Sequence, residues 1–226
     1  MRQPTPDRYT RSIVLLGDFN PKIYQPAWFA AENLIGKQEA EGAKIGVIHP
    51  DVSIFSVDWA RIEILRERFL VETTQQLIDK PLRDLVLGTF SILRHTPIRV
   101  LGINTSMHFR VASDEIYHNA GHRLAPKDIW EGVLDSPGLT RIMMRESVRK
   151  DGKRGYIDVR IEPSAEVMPG LFITVNDHYD CDASQEVIGC DKVLTILKDD
   201  WEVATARAEE IIYTLLKRVT SGDCSK

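Results

Sequence analysis

With 226 residues, 43% of them hydrophobic and 27% charged, the chain holds enough apolar material for a sizeable core and has an ordinary globular composition. Its net charge of −4 argues against broad electrostatic attachment to a nucleic-acid backbone, and no window approaches the roughly 20 apolar residues of a membrane span. The N-terminal stretch lacks the apolar centre of a secretory signal and the three cysteines form no CxxC pair, so a cytoplasmic setting with reduced thiols is expected.

Residues 12–18 form a short Ile/Val/Leu-rich run stopped by Asn20-Pro21 and predict a buried strand. Residues 26–35 predict a short helix opened by Pro26, with Trp28, Phe29 and Leu34 near one face and Gly36 past its end. Residues 42–57 predict a strand or bent pair of strands interrupted at His49-Pro50-Asp51. The stretches 61–65 and 68–73 follow as strands, and their short links make them antiparallel neighbours. A long helix is expected over 80–94, from Leu82, Leu85, Val86, Phe90 and Leu93 at helical spacing, with Thr96-Pro97 as its stop. Residues 98–111 return to strand, and a polar segment then leads to a helix expected to start at Pro126. Strands are expected at 139–148, 155–161 and 171–176, the first two joined by an Asp151-Gly152 hairpin, and a closing helix at 201–219.

The order looks doubled. Val14-Leu15-Leu16-Gly17 and Val100-Leu101-Gly102 open the two halves, Pro26-Ala27-Trp28 and Pro126 to Trp130 follow, and a long helix closes each. The expected class is α+β: two pseudo-repeated β-α-β-β-β-α halves, residues 1–97 and 98–226, either separate or joined in one continuous pseudo-twofold domain. Largely antiparallel sheets would carry helices on one face. The four tryptophans, 28, 59, 130 and 201, fall one to an element and suit core anchors.

No GxxxxGK[ST], GxGxxG, GxSxG or HExxH motif occurs, which removes the easily recognised nucleotide-binding and hydrolase classes. Residues 176–182 (NDHYDCD) offer Asp177, His178 and Asp180 as metal-ligand types, but their spacing matches no closed ligand set. An acidic surface loop, with no metal and no cofactor, is the plainer expectation. His108, Asp114, Glu115, His118 and His122 are the acid/base candidates; Gly121 and Pro126 speak against a helix that would align His118 with His122.

Charge is unevenly spread. Residues 141–160 carry Arg141, Arg145, Arg149, Lys150, Lys153, Arg154 and Arg160 against three acids, whereas 176–191 carry Asp177, Asp180, Asp182, Glu186 and Asp191 with no Lys or Arg. The expected function is a non-enzymatic protein-binding or assembly protein of the bacterial cytoplasm, docking to a protein partner or to its own copy. Arg141, Arg145, Arg149, Lys153 and Arg154 on one side and Asp177, Asp180 and Asp182 on the other would contribute the electrostatics. Two alternatives stand beside it: an enzyme with a scattered His/carboxylate site, and a weak nucleic-acid binder through the basic 141–160 hairpin. Residues 93–104 (LRHTPIRVLGIN) resemble a segment found in uncharacterised bacterial proteins of similar size, a resemblance that brings no activity and no residue role with it.

Overall fold

The computed structural model describes residues 3–181 and 189–221. The elements run β1 (Arg8–Gly17), α1 (Pro26–Ala31), α2 (Lys37–Glu41), β2 (Lys44–His49), β3 (Val52–Ser56), β4 (Arg61–Leu65), β5 (Arg68–Thr73) and α3 (Asp79–Ile92). After these come β6 (Ile98–Arg110), α4 (Asp114–Leu124), β7 (Ile142–Glu146), β8 (Gly155–Pro163), β9 (Gly170–Asp180), α5 (Asp191–Asp199) and α6 (Trp201–Thr220). The strands join into one sheet in the order β2-β3-β4-β5-β1-β6-β9-β8-β7, every neighbour antiparallel. The class is therefore α+β, and the β1–β6 ladder carries the sheet across residues 97 and 98.

Alternation along each strand sends one set of side chains towards the helices. Ile13 and Leu15 of β1, Leu101, Ile103, Met107 and Phe109 of β6, and Ile173 and Val175 of β9 are all buried on that face. They belong to two apolar clusters. One gathers Phe29, Phe55, Phe69, Phe90, Val193, Leu197 and Trp201 beneath α1, α3 and α5. The other gathers Met107, Phe109, Ala120, Ile161, Ile173, Ile212 and Leu216 beneath α4 and α6. The opposite face of the sheet carries no helix among the described residues. Across it runs one polar rung, a residue from each strand in register: Lys44, Ser56, Arg61, Glu72, Ser12, Asn104, Asn176, Asp158 and Arg145. Neighbours along the rung pair with one another: Arg61 donates to Glu72 at 3.3 Å, Asn104 to Ser12 at 3.3 Å and Arg145 to Asp158 at 2.6 Å.

Four expectations are corrected. No helix starts at Pro126; Asp128–Trp130 is a single 3-10 turn, and Trp130 is 42% exposed rather than a core anchor. The helix lies earlier, at α4, where Ser113 accepts the Ile116 N–H and Asp114 and Glu115 sit at the positive end of the helix dipole. His122 and Arg123 occupy its negative end. Together these offset the roughly 1 kcal/mol that Gly121 costs. The strand expected at 171–176 runs on to Asp180, so Asp177, His178 and Asp180 stand in a ladder and not in a surface loop. The second half runs β6-α4-β7-β8-β9-α5-α6, the expected order with one helix added, but the first half holds two helices and then four strands before α3, so the order β-α-β-β-β-α does not recur in both halves.

Candidate docking surface

The proposed charged residues meet one another inside the chain. The hairpin after β7 folds Arg149 beneath the sheet, where its side chain is fully buried and donates to Asp177 of β9 through Nη1. It also grips Asp151 with two bonds of 3.0 and 2.6 Å, and its guanidinium lies 4.0 Å from the Tyr179 ring centre. Arg207 of α6 reaches the same Asp177 carboxylate through Nη2 and, at 3.2 Å, through Nε. Burial alone would favour the neutral form of Arg149, but the Asp151 and Asp177 carboxylates outweigh it and raise its pKa. Arg149 in turn holds Asp151 down at about 2, while burial lifts the Tyr179 phenol to about 12.

A second clamp of opposite polarity pins α6 to β1. Arg11, also fully buried, donates to Glu209 at 2.7 Å, to Asp79 of α3 at 3.1 Å and to Thr105 at 2.5 Å. Cation on sheet to anion on helix, and anion on sheet to cation on helix, the two clamps fix the register of α6 over the strands. They form a polar belt between the two apolar clusters.

The other basic side chains are occupied at the surface. Arg145 sits bidentate on Asp158 at 2.6 and 2.7 Å, Arg141 lies 2.9 Å from Glu162, and Lys153 lies 2.5 Å from Asp200. Arg154 is exposed. Asp180 lies 3.2 Å from His178; Asp182, Glu186 and Cys224 fall outside the described residues. Asp177 is neither a surface contact nor a free metal ligand, since its carboxylate is buried between two guanidinium groups. Among the described residues no group of three His, Cys, Asp or Glu side chains is arranged to hold a metal ion. Nor does the hairpin leave an aromatic platform for bases: Tyr156 stacks on His178 at 4.1 Å and is covered by Arg145 at 3.7 Å.

The acid/base candidates divide across the sheet. His108 stands on the open face of β6, while the neighbouring Met107 and Phe109 point towards α4. Asp114, Glu115, His118 and His122 are exposed on α4, on the helical side. What His108 does meet was not foreseen: Nδ1 lies 2.8 Å from the Ser164 hydroxyl and Nε2 lies 3.5 Å from Glu166. The order Ser, His, Glu suggests an activated nucleophile, but Ser164 is buried and its oxygen already accepts the Glu166 and Val167 backbone N–H groups at 3.1 and 2.9 Å. Both lone pairs are committed to a turn, leaving none for attack. Burial lowers the His108 pKa, in keeping with a neutral ring that accepts the Ser164 proton.

Exposed apolar surface gathers instead at the β7 end of the sheet. Among the described residues, seven of the fifteen exposed large hydrophobic side chains fall within 129–148: Ile129, Trp130, Val133, Leu134, Met143, Met144 and Val148. Trp130 and Leu134 line one groove with Pro137, Leu139 and Arg141, which links the 3-10 turn to the start of β7. Among the described residues β7 pairs only with β8, which leaves its outer backbone groups without a strand partner, and Met143 and Met144 project from its opposite faces at 54% and 66% exposure. Compared with protein-family models and with curated proteins, the chain matches none.

Proposed function

We propose that the protein is a non-enzymatic protein-binding or assembly module that docks through the β7 end of its sheet. The observation that carries this is the concentration of exposed apolar side chains within 129–148. Trp130 and Leu134 share a groove with the start of β7, and Met144 stands beside the partly buried Ile142 on the helix-side face, so apolar side chains flank an unpaired strand edge where a partner strand could cover them. Charge plays a smaller part than the sequence suggests. The cations of 141–160 are spent largely on neighbouring carboxylates, and exposed pairs of that kind contribute about 0 to 1 kcal/mol each. Arg154 and the rim pairs would set orientation and association rate.

The same pairing speaks against a phosphate-binding role for the hairpin, and the committed Ser164 oxygen speaks against hydrolytic chemistry at His108. Replacement of Trp130 and Met144 by Asp tests the proposal, since both sites are exposed and the fold should keep its melting temperature. Wild type should sediment as a complex, with itself or with a co-purified protein, and the variant as a lone monomer. A wild type that is monomeric at high concentration, retains no protein from lysate and behaves like the variant would overturn it.

A further inference from the structure

We infer that the partner at this surface is a second copy of the chain, whose β7 strand pairs antiparallel with β7 about a two-fold axis at Met144, continuing the sheet from one molecule into the next. This rests on the docking surface proposed above and names its occupant.

The sheet has two edges, and they are built differently. β2 opens with Lys44, and its register with β3 slips between Ile45 and Val47, the charge and bulge that keep an edge from pairing. β7 has neither a bulge nor a proline. Its five residues run in unbroken register with β8, and its one central cation, Arg145, is turned inward onto Asp158 and Tyr156 instead of guarding the outer side. A heterologous pairing of β7 with β2 of another molecule would leave further edges open and grow without closing. A two-fold pairing of β7 with itself removes the unguarded edge from both copies at once.

Geometry and charge then select the register. A two-fold axis normal to the sheet keeps the faces aligned, so residues opposite one another must share a face and the axis must pass through a residue. Centred on Met143, the pairing sets Arg141 against Arg145; centred on Arg145 or Glu146, it sets a charge against its own copy, an unfavourable arrangement. Centred on Ile142, it pairs Met144 with Thr140 and runs off the strand. Centred on Met144, it uses the whole of β7: Met144 faces Met144, Met143 faces Arg145, Ile142 faces Glu146, and no like charges meet. Met144 shares the helix-side face with Ile142, which packs against the second apolar cluster, so the paired methionines would extend that cluster across the axis.

Cysteine cross-linking reads this register directly. In a Cys224→Ser background, to remove the tail thiol, Met144→Cys should oxidise to a disulfide-linked dimer. Opposed Cβ atoms in an antiparallel pair lie about 5 Å apart. Met143→Cys should link poorly to itself, because its own copy sits two pairs along, yet should link to Arg145→Cys when the two variants are mixed. Wild type should be dimeric by light scattering, and Met144→Asp monomeric with an unchanged circular-dichroism spectrum. A monomeric wild type with no Met144→Cys link overturns the two-fold pairing, as does a dimer that survives Met144→Asp. Recovery of a different protein, lost on Met144→Asp, would overturn the self-pairing while leaving the docking surface standing.

Discussion

Replacing Asp177 by Asn should be among the most destabilising single changes in this chain. The Asp177 carboxylate, 1% exposed, is shared by Arg149, whose side chain is fully buried, and by Arg207. With Asp151 these make two cations and two anions, a neutral set in which Arg149 and Asp177 are sealed from water while the Asp151 and Arg207 side chains are each 24% exposed. Asn keeps the shape but removes one negative charge and points an N–H₂ at a guanidinium, leaving two cations against the single Asp151 carboxylate. Breaking a buried pair in this way costs about 3–5 kcal/mol. For a chain of this size that lowers the melting temperature by roughly 10 °C. Arg149→Met should cost less, since Asp177 then keeps Arg207 and Asp151 keeps its 3.4 Å contact with the same residue. Urea titrations followed by tryptophan fluorescence would give both values. A loss under about 1 kcal/mol for Asp177→Asn, or a larger loss for Arg149→Met, would refute the shared-carboxylate account.

Arg11→Met should cost about 3 kcal/mol or more in the same titration, because it leaves Asp79 and Glu209 facing a buried, uncharged side chain; a neutral effect would show that the clamp on α6 is not needed. Asp151 is held near 2, below the usual carboxylate value of about 4, so its contribution is fully present above pH 4 and is lost as pH falls through 2. Asp151→Asn should flatten that part of the acid-unfolding curve, and an unchanged slope would count against it. His108 has a lowered pKa, so the folded chain takes up its proton later than the unfolded chain, and stability should fall as pH drops below about 6.5. His108→Gln should remove that slope, as measured by melting temperature between pH 5 and 7. Burial lifts the Cys181 and Cys190 thiols to about 11, and both are free. Iodoacetamide at pH 8 should therefore leave them unlabelled until denaturant is added, and rapid labelling of either in the native protein would contradict their burial.

The period of hydrophobic residues determined most of the elements by itself. The strands at 61–65 and 68–73 and the closing helix follow from local spacing, because burial of one face imposes that spacing wherever the face points. Sequence reasoning went astray where tertiary partners reversed a local preference. Asn, Asp and His at 176–180 favour a turn in isolation, yet they continue a strand because Arg149, 28 residues upstream, and Arg207, 30 downstream, close over Asp177. Pro126 and Trp130 imitate a helix start, whereas the Ser113 cap and the packing of Ala120 against the second cluster fix the helix more than three turns earlier. The basic and acidic segments were visible as composition. Only folding decided that their central members would neutralise one another indoors, since charge pairing depends on distances that sequence order does not carry. The apolar end of the sheet was hidden for the converse reason: Trp130 suits a core anchor by composition, and Met143 and Met144 fall within an expected strand, until the strand order places β7 last with β8 as its one neighbour among the described residues.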